Sequence, residues 1–211
     1  MITNIHTHQL TAAHNCQELV SVSPGDFAPK PGVRYAIGIH PWHTASVTDD
    51  QLRRLERLAF HPQVAAIGET GLDALKGGAI EGQMEIFRFH INIAQQAEKP
   101  LVIHTVRTSQ QVLRAWKASQ QSIPWIIHGM RGNSNVARPL IDAGFYLSFG
   151  ARFNPETARA TPLDRLLIET DDAPVTIEEV ALKVAEALGM TQREILELAT
   201  RNATSLLAGK G

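Results

Sequence analysis

Short apolar runs recur along the chain, and a polar or titratable residue follows most of them. Runs of this length read as buried strands. They fall near residues 2–5, 18–22, 33–39, 64–68, 100–104, 124–128, 144–149 and 165–169, which makes eight. Between them the spacing of apolar positions becomes helical. Thr48-Asp49-Asp50 reads as a helix N-terminus leading into Leu52, Leu55 and Leu58. Glu81 to Glu98 carries Met84, Phe87, Ile91 and Ala94 on one face, and Ser109 to Ser119 carries Val112, Leu113 and Trp116. Shorter helices are expected at Asn133 to Ala143 and Asn154 to Ala160. The tail adds Ile177 to Leu188 and Thr191 to Ala199, the latter with Glu194 placed for a capping box.

Strands alternating with helices argue for βα units and a parallel sheet. The expected fold is α/β, a distorted (β/α)8 TIM-type barrel, in a single domain over residues 1–211. No internal repeat, low-complexity segment or linker interrupts it. Two connections are too short for a packing helix: Gln9 to Gln17, and Ser23 to Gly32. The second holds Pro24, Gly25, Pro29, Pro31 and Gly32, which oppose helix. A complete barrel of this type needs about 250 residues, so the abbreviation is assigned to the first two βα units. Parallel sheets are normally covered on both faces. Leu19, Val20, Val22, Val33, Tyr35 and Ile37 are therefore expected to be partly bare near residues 9–37. A second copy, a partner protein or the chain's own segment Thr191 to Gly211 would cover them.

Composition narrows the class. The apolar fraction of 44% is ordinary for a globular chain, and no stretch approaches the roughly 18 apolar residues of a membrane span. Met1-Ile2-Thr3-Asn4 lacks the basic region and apolar core of a signal peptide, and Cys16 stands alone. A cytoplasmic protein without membrane contact is expected. The net charge is −1, and there is no Lys/Arg run. That argues against a protein that coats long duplexes and confines any nucleic-acid contact to a local site.

The residues that follow the strand-like runs carry the chemistry. Strands of a parallel barrel point the same way, so their C-terminal ends converge on one mouth. In a strand, residues i and i+2 face the same side, so His6 and His8 can clasp one cation. Gly68 and Gly71 suit a tight turn with close approach to a ligand. Between them, Glu69 ends an apolar run where an unpaired carboxylate is costly, and a bridged pair of cations would resolve that cost. His104 and His128 each end such a run. Asp171, in Glu169-Thr170-Asp171, suits a ligand or a general base. Taken singly, each has a plainer reading: surface histidines at His6 and His8, an exposed turn at Glu69, satisfied core histidines at His104 and His128. Taken together, they are what a pair of divalent cations needs.

The ordered set His6-Thr7-His8, Gly38-Ile39-His40-Pro41-Trp42, Gly68-Glu69-Thr70-Gly71-Leu72-Asp73, Pro100-Leu101-Val102-Ile103-His104, Ile127-His128-Gly129 and Glu169-Thr170-Asp171 resembles the TatD family of metal-dependent hydrolases. The resemblance runs from residue 2 to about 207, ending in Asn202-Ala203-Thr204-Ser205-Leu206-Leu207. It implies a distorted barrel related to the amidohydrolases, with members that act as deoxyribonucleases. It implies that His6 and His8 hold one cation, Glu69 bridges, His104 and His128 hold the second, and Asp171 ligates and orients the attacking water. His40 and Glu169 would stand behind the ligands or touch substrate, while His43 is expected at the surface. Three departures matter. Asn4 replaces the Asp that usually opens the first motif. Val106 occupies the place of a basic residue, with Arg107 next. Met130-Arg131 replaces an aromatic followed by Ser, so Arg131 is a candidate phosphate contact, along with Arg107 and Arg152.

Four imidazoles favour a transition metal such as Zn or Mn, with Mg usable if one position is weak. The expected activity is phosphodiester hydrolysis by a metal-activated water, on DNA ends, single strands or a small phosphodiester. Long duplex is disfavoured, because phosphate contacts supply most non-specific affinity and this chain is slightly acidic overall. The competing readings are an amidohydrolase-type C–N or ester hydrolase, and a barrel subunit of a larger assembly.

Overall fold

The computed structural model describes residues 1, 3–9 and 18–208. Eight strands close into a barrel in chain order: β1 (Asn4–Thr7), β2 (Glu18–Val22), β3 (Arg34–Ile37), β4 (Val64–Asp73), β5 (Leu101–Val106), β6 (Trp125–Ile127), β7 (Tyr146–Phe149) and β8 (Leu166–Ile168). The pairings are parallel. Helices α1 (Asp49–Leu58), α2 (Ile80–Gln96), α3 (Ser109–Ala118), α4 (Ser134–Asp142) and α5 (Pro155–Ala160) separate the strands from β3 to β8, and α6 (Ile177–Leu188) and α7 (Gln192–Leu207) follow β8. The expected (β/α)8 architecture is therefore present. Among the described residues no helix is long and apolar enough to cross a membrane. The chain packs as two compact units, one of Met1–Val20 with the residues from Ile126 onward, the other of Ser21–Trp125.

In the first unit β1 pairs with β8 at Asn4↔Ile168, and β7 pairs with β8 at Phe149↔Ile168. The capping box read at Thr191 with Glu194 is present, and Thr176 exchanges hydrogen bonds with Glu179 in the same way. Helix α7 runs on to Leu207 instead of stopping at Ala199. Its apolar stripe continues through Ala203 and Leu206, and the buried Asn202 does not break it. The Asn202 amide donates to the carbonyls of Leu163 (2.7 Å) and Leu166 (2.9 Å). A buried amide so satisfied costs little and fastens α7 to the start of β8.

The second unit corrects the reading of β4. The strand does not end at Gly68 but continues to Asp73, buried along its whole length. A register shift against β5 falls between Ile67 and Thr70, as a bulge produces. The glycines serve this pairing and not a turn. Gly68 (φ +143°) and Gly71 (φ +134°) sit where a Cβ would run into the carbonyl oxygens of Val102 and His104 on β5. Both the conformation and the space exclude other residues.

The thin side is also built differently from the expectation. Ser23 to Val33 forms no helix, as read, and residues 10–17 lie outside the described residues. Of the six apolar positions expected to be partly bare, Leu19, Val20, Tyr35 and Ile37 are buried, while Val22 and Val33 are half-buried. Phe27, from the proline-rich loop, packs edge-on against Tyr35 (5.1 Å between centroids) and His61 (5.0 Å). The loop supplies the cover itself around β3, while α7 packs on α6 and β8.

Buried on α2, His90 joins the unit's layers. Its Nδ1–H donates to the Ile86 carbonyl (2.7 Å), and its Nε2 accepts from the Ile39 N–H (2.9 Å). The ring is wholly enclosed, and burial lowers its pKa to about 4. An unfolded chain takes up this proton below about pH 6.5. Between those values the unfolded state binds more protons, so stability falls as pH falls. The contribution of the neutral ring is complete above about pH 6.5 and declines towards pH 4, by on the order of 3 kcal/mol. Urea unfolding at neutral pH and near pH 4.5 should show this decline in the wild type and a shallower one in His90→Gln. Equal slopes would exclude His90 as its source.

Candidate metal-binding site

In the first unit the site is set by the junction of β1 with the turn after β8. The Asp171 N–H donates to the His6 carbonyl (3.0 Å), and the His8 N–H donates to the Asp171 carbonyl (3.4 Å). Thr7 Oγ1 donates to that carbonyl as well (3.2 Å). Asp171 adopts a left-handed backbone (φ 55°), which Asp tolerates better than most residues. Its Oδ1 then lies 3.4 Å from His6 Nε2 and 3.7 Å from His8 Nε2. The i, i+2 reading of these two histidines is thus reproduced. Asn4, the departure at the start of the first motif, pairs with Thr170. Its amide donates to Thr170 Oγ1 (2.8 Å) and its carbonyl accepts from the Thr170 N–H (3.1 Å). A carboxylate could make the same two contacts only with the Thr170 hydroxyl as donor.

Behind this group, Glu169 Oε1 accepts from the Gly129 N–H (2.7 Å) and lies 3.3 Å from His128 Nδ1. The nitrogen that His128 would present to a cation is therefore Nε2. Glu169 Oε2 is buried with no hydrogen-bond partner among the described residues, a costly state that a cation would relieve.

The second unit centres on Glu69. Its Oε1 lies 3.0 Å from His40 Nε2 and 2.9 Å from His104 Nδ1. His40 Nδ1 accepts from the Trp42 N–H (3.2 Å). The His40 proton must then sit on Nε2, and His40 donates to Glu69. The motif implied for it a place behind the ligands or against substrate. His104 Nε2 faces Asp73 Oδ2 at 3.2 Å, so Nδ1 is the nitrogen it would offer to a cation beside Glu69. A carboxylate that orients a ligating histidine fixes both its tautomer and its angle.

Asp73, to which the motif assigned no role, joins this cluster. The signal was present, because Glu69, Gly71 and Asp73 alternate along one strand. Trp42 Nε1–H donates to Asp73 Oδ2 (2.6 Å), and the N–H groups of Leu75 and Lys76 donate to Oδ1 (2.8 and 3.1 Å). Burial pushes the Asp73 carboxyl upward, but the hydrogen bonds from Trp42, Leu75 and His104 together outweigh it and hold the pKa below its ordinary value.

The donor sets fit divalent cations. In the first unit one ligand atom each from His6, His8 and Asp171 lie within 4.8 Å of one another, as do those of His128, Glu169 and Asp171; in the second, those of His40, Glu69 and His104 do so. Ligands about 2.1 Å from one cation stand about 3.0–3.4 Å apart, and the contacts of these sets run from 2.9 to 3.7 Å. The structure groups His128 with Glu169 and Asp171, and His104 with Glu69 and Asp73. Arg131 is exposed between β6 and α4, and His43, Arg107 and Arg152 are exposed too.

Comparison with known proteins gives the chain's relatives. A family model described as "TatD related DNase" matches residues 26–208. The chain is similar to the uncharacterized metal-dependent hydrolase TatD of Mycobacterium tuberculosis, with 30% identity over 194 residues, covering 80% of this chain and 74% of that protein. It is similar to the uncharacterized metal-dependent hydrolase YabD of Bacillus subtilis, with 33% identity over 193 residues and coverage of 81% and 76%. Among solved structures, the TatD homolog YJJV of Escherichia coli shares the fold with a TM-score of 0.85 at 19% identity, covering 100% of this chain and 98% of that one.

Asp73→Asn should turn an amide NH2 towards Trp42 or His104, both donors. Metal affinity at the Glu69 cluster is expected to drop about 10- to 100-fold, as read by calorimetric titration of the stripped protein with Zn or Mn. An affinity equal to that of wild type would show that His104 is oriented by other contacts.

Proposed function

Because the chain belongs to the TatD family of metal-dependent hydrolases, we propose that it hydrolyses phosphodiester bonds in DNA, at single strands or ends. The observation that carries this reading is the Glu69 carboxylate, buried with an imidazole on either side of one oxygen. Such a carboxylate is a ligand more readily than a structural ion pair, since burial of an ionised group is tolerated only with strong partners. The family description as a DNase supports the substrate class.

The sequence motif assigns Glu69 as the bridging ligand, with His6, His8, His104, His128 and Asp171 as the others. Bound divalent cations of this kind ionise water near neutral pH and offset charge growing on a phosphoryl oxygen. The chain's own groups do the rest. Asp171 is partly open to solvent, with a side-chain exposure of 22%, and its carboxylate can accept the proton of an incoming water as general base. His40 holds the Glu69 carboxylate by a donated hydrogen bond, and Glu169 holds His128. Asn4 and Thr170 lock the backbone that carries Asp171. Arg107 and Arg131 are exposed and can meet phosphates. The net charge of −1 gives no extended basic face, which favours short or single strands over long duplex.

Glu69→Ala is expected to reduce hydrolysis of a labelled single-stranded oligonucleotide more than about a hundredfold while its circular dichroism stays that of wild type. The assay is run with Zn, Mn and Mg in turn, beside a panel of amides, lactones and carboxylic esters. Near-wild-type turnover by Glu69→Ala would remove Glu69 from the machinery. Turnover of an amide or lactone without DNA cleavage would move the function to C–N or carboxylic-ester hydrolysis.

A further inference from the structure

Trp42 stands apart from the other exposed apolar residues. Its side chain belongs to a residue that is 42% exposed, yet the ring is held from several directions. Nε1–H donates to Asp73 at 2.6 Å. The ring meets His40 edge-on at 4.6 Å between centroids and stands 5.9 Å from the His104 ring. Lys76 Nζ lies over it, 4.2 Å from its centroid.

The backbone around it is equally fixed. Pro41 opens the 3-10 turn Pro41–Ser46, and the His40 side chain caps it through the Trp42 N–H. The loop after β4 closes against this turn so tightly that a Cβ on Gly77 would lie 2.6 Å from the Pro41 carbonyl oxygen and 3.1 Å from Trp42 Cα. The Gln83 amide ties that loop together, reaching the carbonyls of Asp73 (3.0 Å), Lys76 (3.1 Å) and Gly78 (2.8 Å).

Core packing does not account for an aromatic ring left this open. A hydrogen bond to Asp73 accounts for the indole nitrogen but not for the exposed remainder. A rigid aromatic plane paired with a mobile cation is how proteins hold single-stranded nucleic acid without reading its sequence. We propose that Trp42 is a stacking platform for one base of a single-stranded DNA substrate, with Lys76 moving from the ring to a backbone phosphate when the strand arrives. This rests on the phosphodiesterase reading above and deepens it.

The placement suits the chemistry. The His104 ring is an immediate neighbour of Trp42, so a base on Trp42 belongs to a nucleotide next to the phosphate at the Glu69 cluster. In free protein Lys76 shields the ring by a cation–π contact. An incoming base replaces that contact, and the ammonium gains a phosphate. In an intact duplex the bases are stacked and paired, so they cannot reach the ring without unpairing. Selectivity for single strands then follows without a basic face.

The test compares two strands of equal length with phosphorothioate linkages that resist hydrolysis, one oligothymidylate and one abasic. Binding to the metal-loaded protein is followed by fluorescence anisotropy for wild type, Trp42→Phe and Trp42→Leu. Stacking is worth about 1–3 kcal/mol per base. Wild type should therefore bind thymidylate about tenfold to a hundredfold more tightly than the abasic strand. Trp42→Leu should lose that preference and Trp42→Phe should keep most of it. Both variants lose the indole N–H to Asp73, so a loss routed through Asp73 would strike them equally and would weaken the abasic strand too; that pattern overturns the proposal. Equal binding of the two strands by wild type overturns it without any variant. Cleavage of ordinary phosphodiester strands is scored separately. A wild type that prefers thymidylate but cleaves neither strand with Zn, Mn or Mg keeps the platform and loses the phosphodiesterase reading.

Discussion

Where β4 meets β5, two backbones approach so closely that no side chain fits between them at Gly68 or Gly71. The second unit's site depends on that approach. The register shift between Ile67 and Thr70 re-aims the residues beyond it. Glu69 and Asp73 then both come within hydrogen-bond distance of the one imidazole of His104. Any residue larger than glycine at position 71 would push the strands apart, and the shared imidazole could no longer reach both carboxylates. Gly38 repeats the constraint on the other side of β4, where a Cβ would stand 2.6 Å from the Glu69 carbonyl oxygen.

Buried carboxylates are tolerable only when donors surround them. The two units meet that condition in different ways. In the second, side chains do it: Trp42, His40 and His104 converge on Asp73 and Glu69, aided by backbone N–H groups after β4. In the first, the backbone does more. The β1 strand and the turn after β8 exchange hydrogen bonds at His6, His8 and Asp171, and the Gly129 N–H secures Glu169. Asn4 belongs to this scheme, because its side chain joins both the N–H and the hydroxyl of Thr170 without adding a buried charge.

Catalytic groups work when their supports leave them little freedom. That chain of support can be followed outward. His90, neutral and enclosed on α2, accepts from the Ile39 N–H, and Ile39 precedes the His40 that donates to Glu69. Gln83 holds the Asp73 N–H (2.7 Å) and the loop that packs beside Trp42. The support of the Glu69 and Asp73 cluster thus extends into α2, which meets the segment after β3 through His90 and the end of β4 through Gln83.

By itself, the sequence determined the features that local chemistry controls. Apolar runs and helical spacing located the strands and the helix starts, because periodicity and capping need only near neighbours. Residue type and order along the chain also exposed the ligand candidates from His6 to Asp171. Closure of the sheet decided the remainder. Gly68 and Gly71 read as a turn because a glycine's empty side-chain space looks the same whether a ligand or a neighbouring strand fills it. Asp73 and Trp42 acquire meaning only once β4 is known to run past Glu69 and the loop after it folds against Pro41. Phe27 covers Tyr35 from a loop whose prolines announced only the absence of helix, and Asn202 extends α7 because two distant carbonyls receive its amide. In each case the deciding partner lies far along the chain, and a sequence pattern carries no distance between such residues until the strands pair.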